Sequence, residues 1–274
     1  MYRIRAFALV GESANAHWRE PPSRHGKWRA ALRTDRSVRL RRQWQGDELD
    51  LDAAIEWQVD RRSSRDPGQR IFRDAGRASP ALSLLVLVDL SESCNDLVAN
   101  TDLRLLDLQK QALRLLAKRL DGSTMRLAIH GFHSDTRKSI SYFRMLDFGA
   151  RLDSGGERAL QGLRAAYSTR LGAALRHASG MVAHETNARR VIVVLSDGEP
   201  SDIDVHDREY LLEDARHAVH EARRNRVNVA SLVVGDTGAA SARAIYGAGA
   251  YAVARNPAEL PARLFGFLER LARM

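Results

Sequence analysis

Two short apolar runs, Leu84-Leu85-Val86-Leu87-Val88 and Val191-Ile192-Val193-Val194-Leu195-Ser196, are each followed at once by an aspartate, Asp89 and Asp197. Runs of this length without polar alternation read as strands buried on both faces, the pattern of parallel sheet covered by helices. In open sheets of that kind, ligands bind beyond the carboxyl ends of the strands, which is where both aspartates fall. Asp89-Leu90-Ser91-Glu92-Ser93 puts one carboxylate and two hydroxyls on one such loop, and Thr169 opens an amphipathic stretch. Asp89, Ser91, Ser93, Thr169 and Asp197 can therefore converge on one rim as candidate metal ligands. Their chemistry suits a hard divalent cation, because Mg²⁺ takes small oxygen donors in near-octahedral array and usually keeps several waters.

The remaining pattern supports that frame. A helix is expected from about Thr101 to Leu120, with Leu105, Leu108, Ala112, Leu116 and Leu120 inward and Asp121-Gly122 ending it. Strand Met125 to Gly131 should follow, then an antiparallel edge pairing through Ser139 to Arg144. Thr169 stands as the amino-terminal cap of a helix that buries Leu171, Ala174, Leu175, Ala178 and Val182. Asp207 caps the next helix, with Leu211, Ala215, Ala218 and Ala222 inward, leading to strand Val227 to Val234. Asn256-Pro257 starts the last helix, which buries Leu260, Leu264, Phe267 and Leu271. Alternation of strands and helices from Leu82 predicts an α/β fold with a doubly wound, mostly parallel sheet flanked by helices. The expected division is a basic extension and linker over residues 1–79, then the α/β domain over 80–274. Within the first, Ser37 to Arg41 alternates like a strand, Asp47 to Asp60 reads as an acidic-faced helix with Leu51, Ala54, Ile55 and Val59 at helical spacing, and Arg61 to Pro80 reads as a connector.

Charge is distributed unevenly. The net charge is +9, yet residues 1–42 alone carry eleven Lys and Arg against Glu12, Glu20 and Asp35, leaving only +1 for everything after them. The basicity belongs to the extension, which suits an acidic partner protein or an acidic segment of the same chain. Nucleic-acid binding is the weaker reading, since no recognition motif accompanies the charge and aromatic residues are 6%. No apolar run approaches the ~20 residues that span a bilayer, so membrane insertion is not expected. A single cysteine, Cys94, cannot close an internal disulfide, and a cytoplasmic location is the natural expectation.

The order DxSxS, then Thr169, then Asp197-Gly198 after a strand resembles the metal-ion-dependent adhesion site of von Willebrand factor A domains. Longer segments resemble a narrower family, the NorD/CbbO group of bacterial von Willebrand A proteins that work with MoxR-class AAA+ ATPases. They are Asp47 to Ala53 (DELDLDA), Asp89 to Asp96 (DLSESCND), Ile129 to Ser134 (IHGFHS), Ser168 to His177 (STRLGAALRH), Ser196 to Asp204 (SDGEPSDID), Glu213 to Val219 (EDARHAV) and Ala258 to Pro261 (AELP). Val233-Val234-Gly235-Asp236 departs from the Thr-Leu-Asp-like segment usual there. The resemblance implies that Ser91, Ser93 and Thr169 are direct hydroxyl ligands of Mg²⁺, with Mn²⁺ able to substitute. Asp89 and Asp197 would act directly or through water, leaving one position for a carboxylate of another protein. It further implies a non-enzymatic adaptor that brings a client to a MoxR-class AAA+ ATPase. The client is inhibited rubisco in the CbbO branch, towards which the DELDLDA and SDGEPSDID wording leans, or nitric oxide reductase in the NorD branch. A reading from another class is a metal-assisted hydrolase that activates water at the open position; no additional base or phosphate-binding loop accompanies it.

Other motifs carry less. Gly247 to Ala252 matches GxGxxA but precedes a strand, so it reads as a turn and not as a dinucleotide site. His130 and His133 on one strand face opposite sides and read as structural. No GxSxG elbow accompanies Asp89 and Ser91 to suggest a hydrolase triad. Cys94 reads as a packed thiol, and Asp202, Asp204 and Asp207 lack the ladder of a calcium loop, so they should shape the segment beyond Asp197.

Overall fold

In a computed structural model, the structure describes residues 3–7, 38–43, 48–62, 70–76, 82–98, 101–123, 125–136, 139–187, 189–205, 207–235 and 237–273. Most of the basic segment, residues 8–37, lies outside them, as does Asp236. Seven strands form one sheet: β1 (Arg3–Phe7), β5 (Leu82–Asp89), β6 (Arg126–Thr136), β7 (Ser139–Leu146), β8 (Arg189–Ser196), β9 (Asn228–Val234) and β10 (Tyr251–Ala254). Their order is β1-β7-β6-β5-β8-β9-β10, and every neighbouring pair is parallel except β6 with β7. This is the expected doubly wound sheet, with the Asp89 and Asp197 strands, β5 and β8, side by side at its centre.

All eight residues of β5 are buried, and alternate side chains enter two cores. Leu82, Leu84, Val86 and Val88 pack with α2 (Leu105–Leu120) and α7 (Leu260–Arg273), while Leu85 and Leu87 pack with α4 (Leu171–Ala183), α5 (Arg208–Arg224) and α6 (Ala239–Tyr246). Full burial of such a side chain contributes about 1.5–3 kcal/mol, so helix cover on both faces is what makes an unalternating strand stable. The inward faces expected for the helices after Thr169 and Asp207 are buried as read. Gly247 and Gly249, with φ of 85° and 93°, form the turn before β10.

Four expectations change. The helix expected from Thr101 begins at Leu105, because Leu97 and Arg104 bridge and the Val98 N–H donates to Leu103 O, closing residues 97–104 into a loop. β7 is not an edge, since β1 pairs with it in register from Arg3–Ser139 to Phe7–Phe143. The connector 61–80 contains β4 (Phe72–Gly76), which pairs antiparallel with β2 (Val38–Gln43) and β3 (Glu48–Leu49) in a separate three-stranded sheet. Between β3 and β4 lies α1 (Leu51–Arg62), where the period was legible but the face was not. Ala53 is buried, whereas Leu51, Ile55 and Val59 are exposed and Ala54 is half-buried. Helical spacing identifies a stripe, and only the packed neighbours decide whether it faces inward.

Candidate functional site

The carboxyl end of β5 brings Asp89, Ser91, Ser93 and Thr169 together, and Asp197 follows the neighbouring strand β8 directly. Asp89, the last residue of β5, is fully buried, as is nearly all of Thr169. The Thr169 hydroxyl donates to both carboxylate oxygens of Asp89 at 3.0 Å. The Ser91 N–H also donates to Asp89 Oδ1 at 3.0 Å, folding DxSxS back so that the Ser91 and Ser93 hydroxyls meet at 3.0 Å. On the far side, the Glu199 N–H donates to Asp197 Oδ1 at 3.0 Å. A short 3₁₀ turn over Glu92–Asn95 carries Ser93.

Two further loops hold Thr169 and Asp197 in place. Thr169 exchanges backbone hydrogen bonds with Ser201 at 2.9 and 3.2 Å, and Ser168 does the same with Ser134 at 2.8 and 2.9 Å. Asp197-Gly198 rests backbone to backbone on Gly238, the residue before α6. A Cβ on Gly238 would lie 2.0 Å from the Asp197 carbonyl oxygen, and one on Gly198 would lie 2.9 Å from Gly238 O. Both positions therefore require glycine, and Gly198 also has φ of 86°.

The electrostatics favour a cation. Burial, and then the charge of Asp197, push the Asp89 carboxyl up to about 7, against the lowering effect of its hydrogen bonds from Ser91 and Thr169. Among the described residues, no basic side chain stands among the main causes of that shift. The hydroxyl and carboxylate oxygens stand 3.0 Å apart, and adjacent oxygens around Mg²⁺ at about 2.0–2.1 Å are roughly 2.9–3.0 Å apart in an octahedron. The donor set present thus fits a small hard divalent ion. Among the described residues no three His, Cys, Asp or Glu side chains converge as a metal cluster, so a cation here would depend on neutral hydroxyls.

One residue with a role in the site gave no signal as such in the sequence. Arg170 is among the largest fully buried side chains, and it pairs with Asp202 Oδ2 at 2.5 Å and Asp204 Oδ1 at 3.3 Å. Its backbone N–H donates to Ser134 Oγ at 3.0 Å. Arg170, not Thr169, is the cap position of α4. The acidic loop beyond Asp197 is thus tied to the residue next to Thr169, which is the shaping role expected of Asp202 and Asp204. Asp207 accepts from the Glu209 and Tyr210 N–H groups and caps α5.

The remaining candidates are structural. His130 Nδ1 meets the Tyr142 hydroxyl at 2.9 Å and Nε2 meets Asp147 at 3.2 Å, while His133 stacks on Phe143 and Tyr167. Cys94 is buried with its thiol on Asp89 O at 3.3 Å, and burial pushes that thiol well above its usual range. No helix of the described residues is long and apolar enough to cross a membrane.

A mostly parallel sheet bearing this oxygen cluster at its carboxyl rim defines a class, and residues 84–199 match the family model VWA_2, the von Willebrand factor type A domain. Protein NorD of Brucella suis is 34% identical over 241 residues, which are 88% of this chain and 38% of that protein. Protein NorD of Stutzerimonas stutzeri is 29% identical over 82% of this chain and 37% of its own length. An uncharacterised Pseudomonas aeruginosa protein, PA0525, is 31% identical over 98% of this chain and 44% of itself. Residues 84–199 thus carry a von Willebrand factor type A domain, and the chain is similar to proteins named NorD, although it spans well under half the length of these relatives.

Solved structures agree on the fold. The von Willebrand domain of the pilus tip protein Mfa5 from Porphyromonas gingivalis superposes with TM-score 0.55 at 11% identity, covering 72% of this chain and 96% of that one. The mussel byssus protein PTMP1, solved with zinc in its adhesion motif, gives 0.51 at 18% identity, covering 70% and 45%.

Proposed function

We propose that this chain is a metal-dependent, non-enzymatic protein-binding adaptor that presents a client to a MoxR-class AAA+ ATPase. The observation that carries the reading is the convergence of Asp89, Ser91, Ser93 and Thr169 at hydrogen-bond spacing, with the Asp197 charge felt at Asp89. Mg²⁺ would be held by Ser91, Ser93 and Thr169, with Asp89 and Asp197 bound directly or through water; Mn²⁺ should substitute. With only two formal negative charges in the set, the ion stays electrophilic and takes a carboxylate from the client. The divalent ion in the PTMP1 motif is a parallel for such occupancy.

Of the two clients that the resemblance implies, nitric oxide reductase is the better supported, because the named relatives are called NorD. The rubisco alternative draws no support from these relatives. A cytoplasmic setting fits an ATPase partner. The test is capture of purified nitric oxide reductase, beside purified rubisco, by the full chain in Mg²⁺ and in chelator. Mg²⁺-dependent capture of the reductase that is lost in Thr169→Ala supports the reading. Capture that is indifferent to metal, or unaffected by Thr169→Ala, contradicts it.

A further inference from the structure

The rim around the oxygen cluster is apolar in an unusual way. Among the described residues, the large apolar side chains left exposed fall on β3 and α1, or near the candidate ligands in sequence and at the start of α5. The second group is Leu97, Tyr167, Ile203 and Tyr210, which are 50–70% exposed. Tyr167 lies two residues before Thr169, and Ile203 lies two residues after the Ser201 that bridges Thr169. Tyr167 and Ile203 thus flank the two strands of that bridge, and exposed apolar groups rimmed by polar ones mark interaction surfaces.

Tyr167 is held there at a cost. Its φ is 63°, a conformation that a bulky side chain adopts only when its surroundings impose it. The surroundings are visible on both sides: the Ala166 N–H donates to Leu90 O, Tyr167 O accepts from Glu92 N–H, and Ser168 is paired with Ser134. The ring leans on His133 with centroids 5.0 Å apart, and His133 in turn stacks on Phe143 at 5.2 Å. The fold thus fixes a half-exposed aromatic ring next to a candidate metal ligand.

The segment that carries Ile203 also lines a cavity of about 210 Å³, walled by Pro200, Val205 and Leu211 together with Glu199, Ser201, Asp202 and Arg208. Its wall is continuous with the site, because Glu199 donates to Asp197 and Ser201 is bridged to Thr169. We propose that Tyr167, Ile203 and this cavity form an apolar subsite that selects partners by the residues flanking the metal-bound carboxylate. The occupant is a protein segment with an Asp or Glu set between large apolar side chains. The carboxylate neutralises the cation, and the apolar neighbours bury Tyr167 and Ile203 and enter the Val205–Leu211 cavity. This rests on the adaptor reading above and adds the determinant of its specificity.

The test uses the full chain, Mg²⁺ and labelled synthetic peptides carrying one central Asp or Glu with either Leu and Phe or Ser on each side. Anisotropy should show the apolar-flanked peptides binding about tenfold or more tightly than the Ser-flanked ones, as burial of one or two such side chains gives. Tyr167→Asn, whose residue tolerates positive φ, and Ile203→Ser should each remove most of that preference while Mg²⁺ affinity, read by calorimetry, stays unchanged. Binding that needs metal and carboxylate but ignores the flanking residues and both variants overturns the subsite and leaves the adaptor reading intact. Binding that needs neither metal nor carboxylate overturns both. If no peptide binds while metal-dependent client capture persists, only the subsite is overturned.

Discussion

Arg170 and Asp202 form a buried ion pair at 2.5 Å, and it joins the two loops that supply Thr169 and Asp197. Removing one partner of a buried pair leaves the other charge uncompensated, which costs about 3–5 kcal/mol. Arg170→Met should therefore destabilise the domain by that order in urea unfolding. Asp204→Asn, at the longer 3.3 Å contact with a side chain 30% exposed, should cost about 1 kcal/mol or less. Equal, small effects for the two variants would show that the latch does not hold the rim together.

Gly238 and Gly180 make a matched pair. A methyl on Gly238 collides with the Asp197 carbonyl, whereas one on Gly180, inside α4, meets nothing within 4 Å. Gly238→Ala should destabilise by about 1–3 kcal/mol and also weaken Mg²⁺ binding by displacing Asp197. Gly180→Ala should stabilise by about 0.5–1 kcal/mol through the helix-interior preference for alanine. Thermal melts and metal titration of both proteins check the pair.

His130 predicts an acid-sensitive term. Burial lowers its pKa to about 4, although the Asp147 carboxylate pulls the other way. The unfolded chain takes up that proton near pH 6.5, and the fold only near 4, so stability falls as pH drops through that window. Between pH 7 and 4.5 the loss from this residue is about 2–3 kcal/mol. Urea unfolding at the two pH values should show His130→Gln losing less stability on acidification than the parent by about that amount.

The sheet and the five candidate oxygens were legible because each depends on short-range pattern. An unalternating run such as Leu84–Val88 has one stable setting, and an aspartate at its end must fall at the carboxyl rim. Arg170 was not legible as a buried anchor, since nothing next to it in sequence announces that Asp202 and Asp204, over thirty residues on, will neutralise it. Nor was the pairing of Arg3–Phe7 with β7, which joins segments more than a hundred residues apart. The outward face of α1 was missed for the same reason. Its spacing is correct, but the surroundings that leave Leu51 and Ile55 exposed are not written in the helix itself.

The proposed adaptor depends on the Asp89, Ser91, Ser93, Thr169 and Asp197 oxygens forming one divalent-cation site. Calorimetric titration of Mg²⁺ into the parent chain, Asp89→Ala and Ser91→Ala, with circular dichroism to confirm folding, tests it most directly. Binding to one site in the parent, and loss of most of that affinity in both folded variants, is the expected result. Undiminished Mg²⁺ affinity in Asp89→Ala and Ser91→Ala, or no binding to the parent, would contradict it.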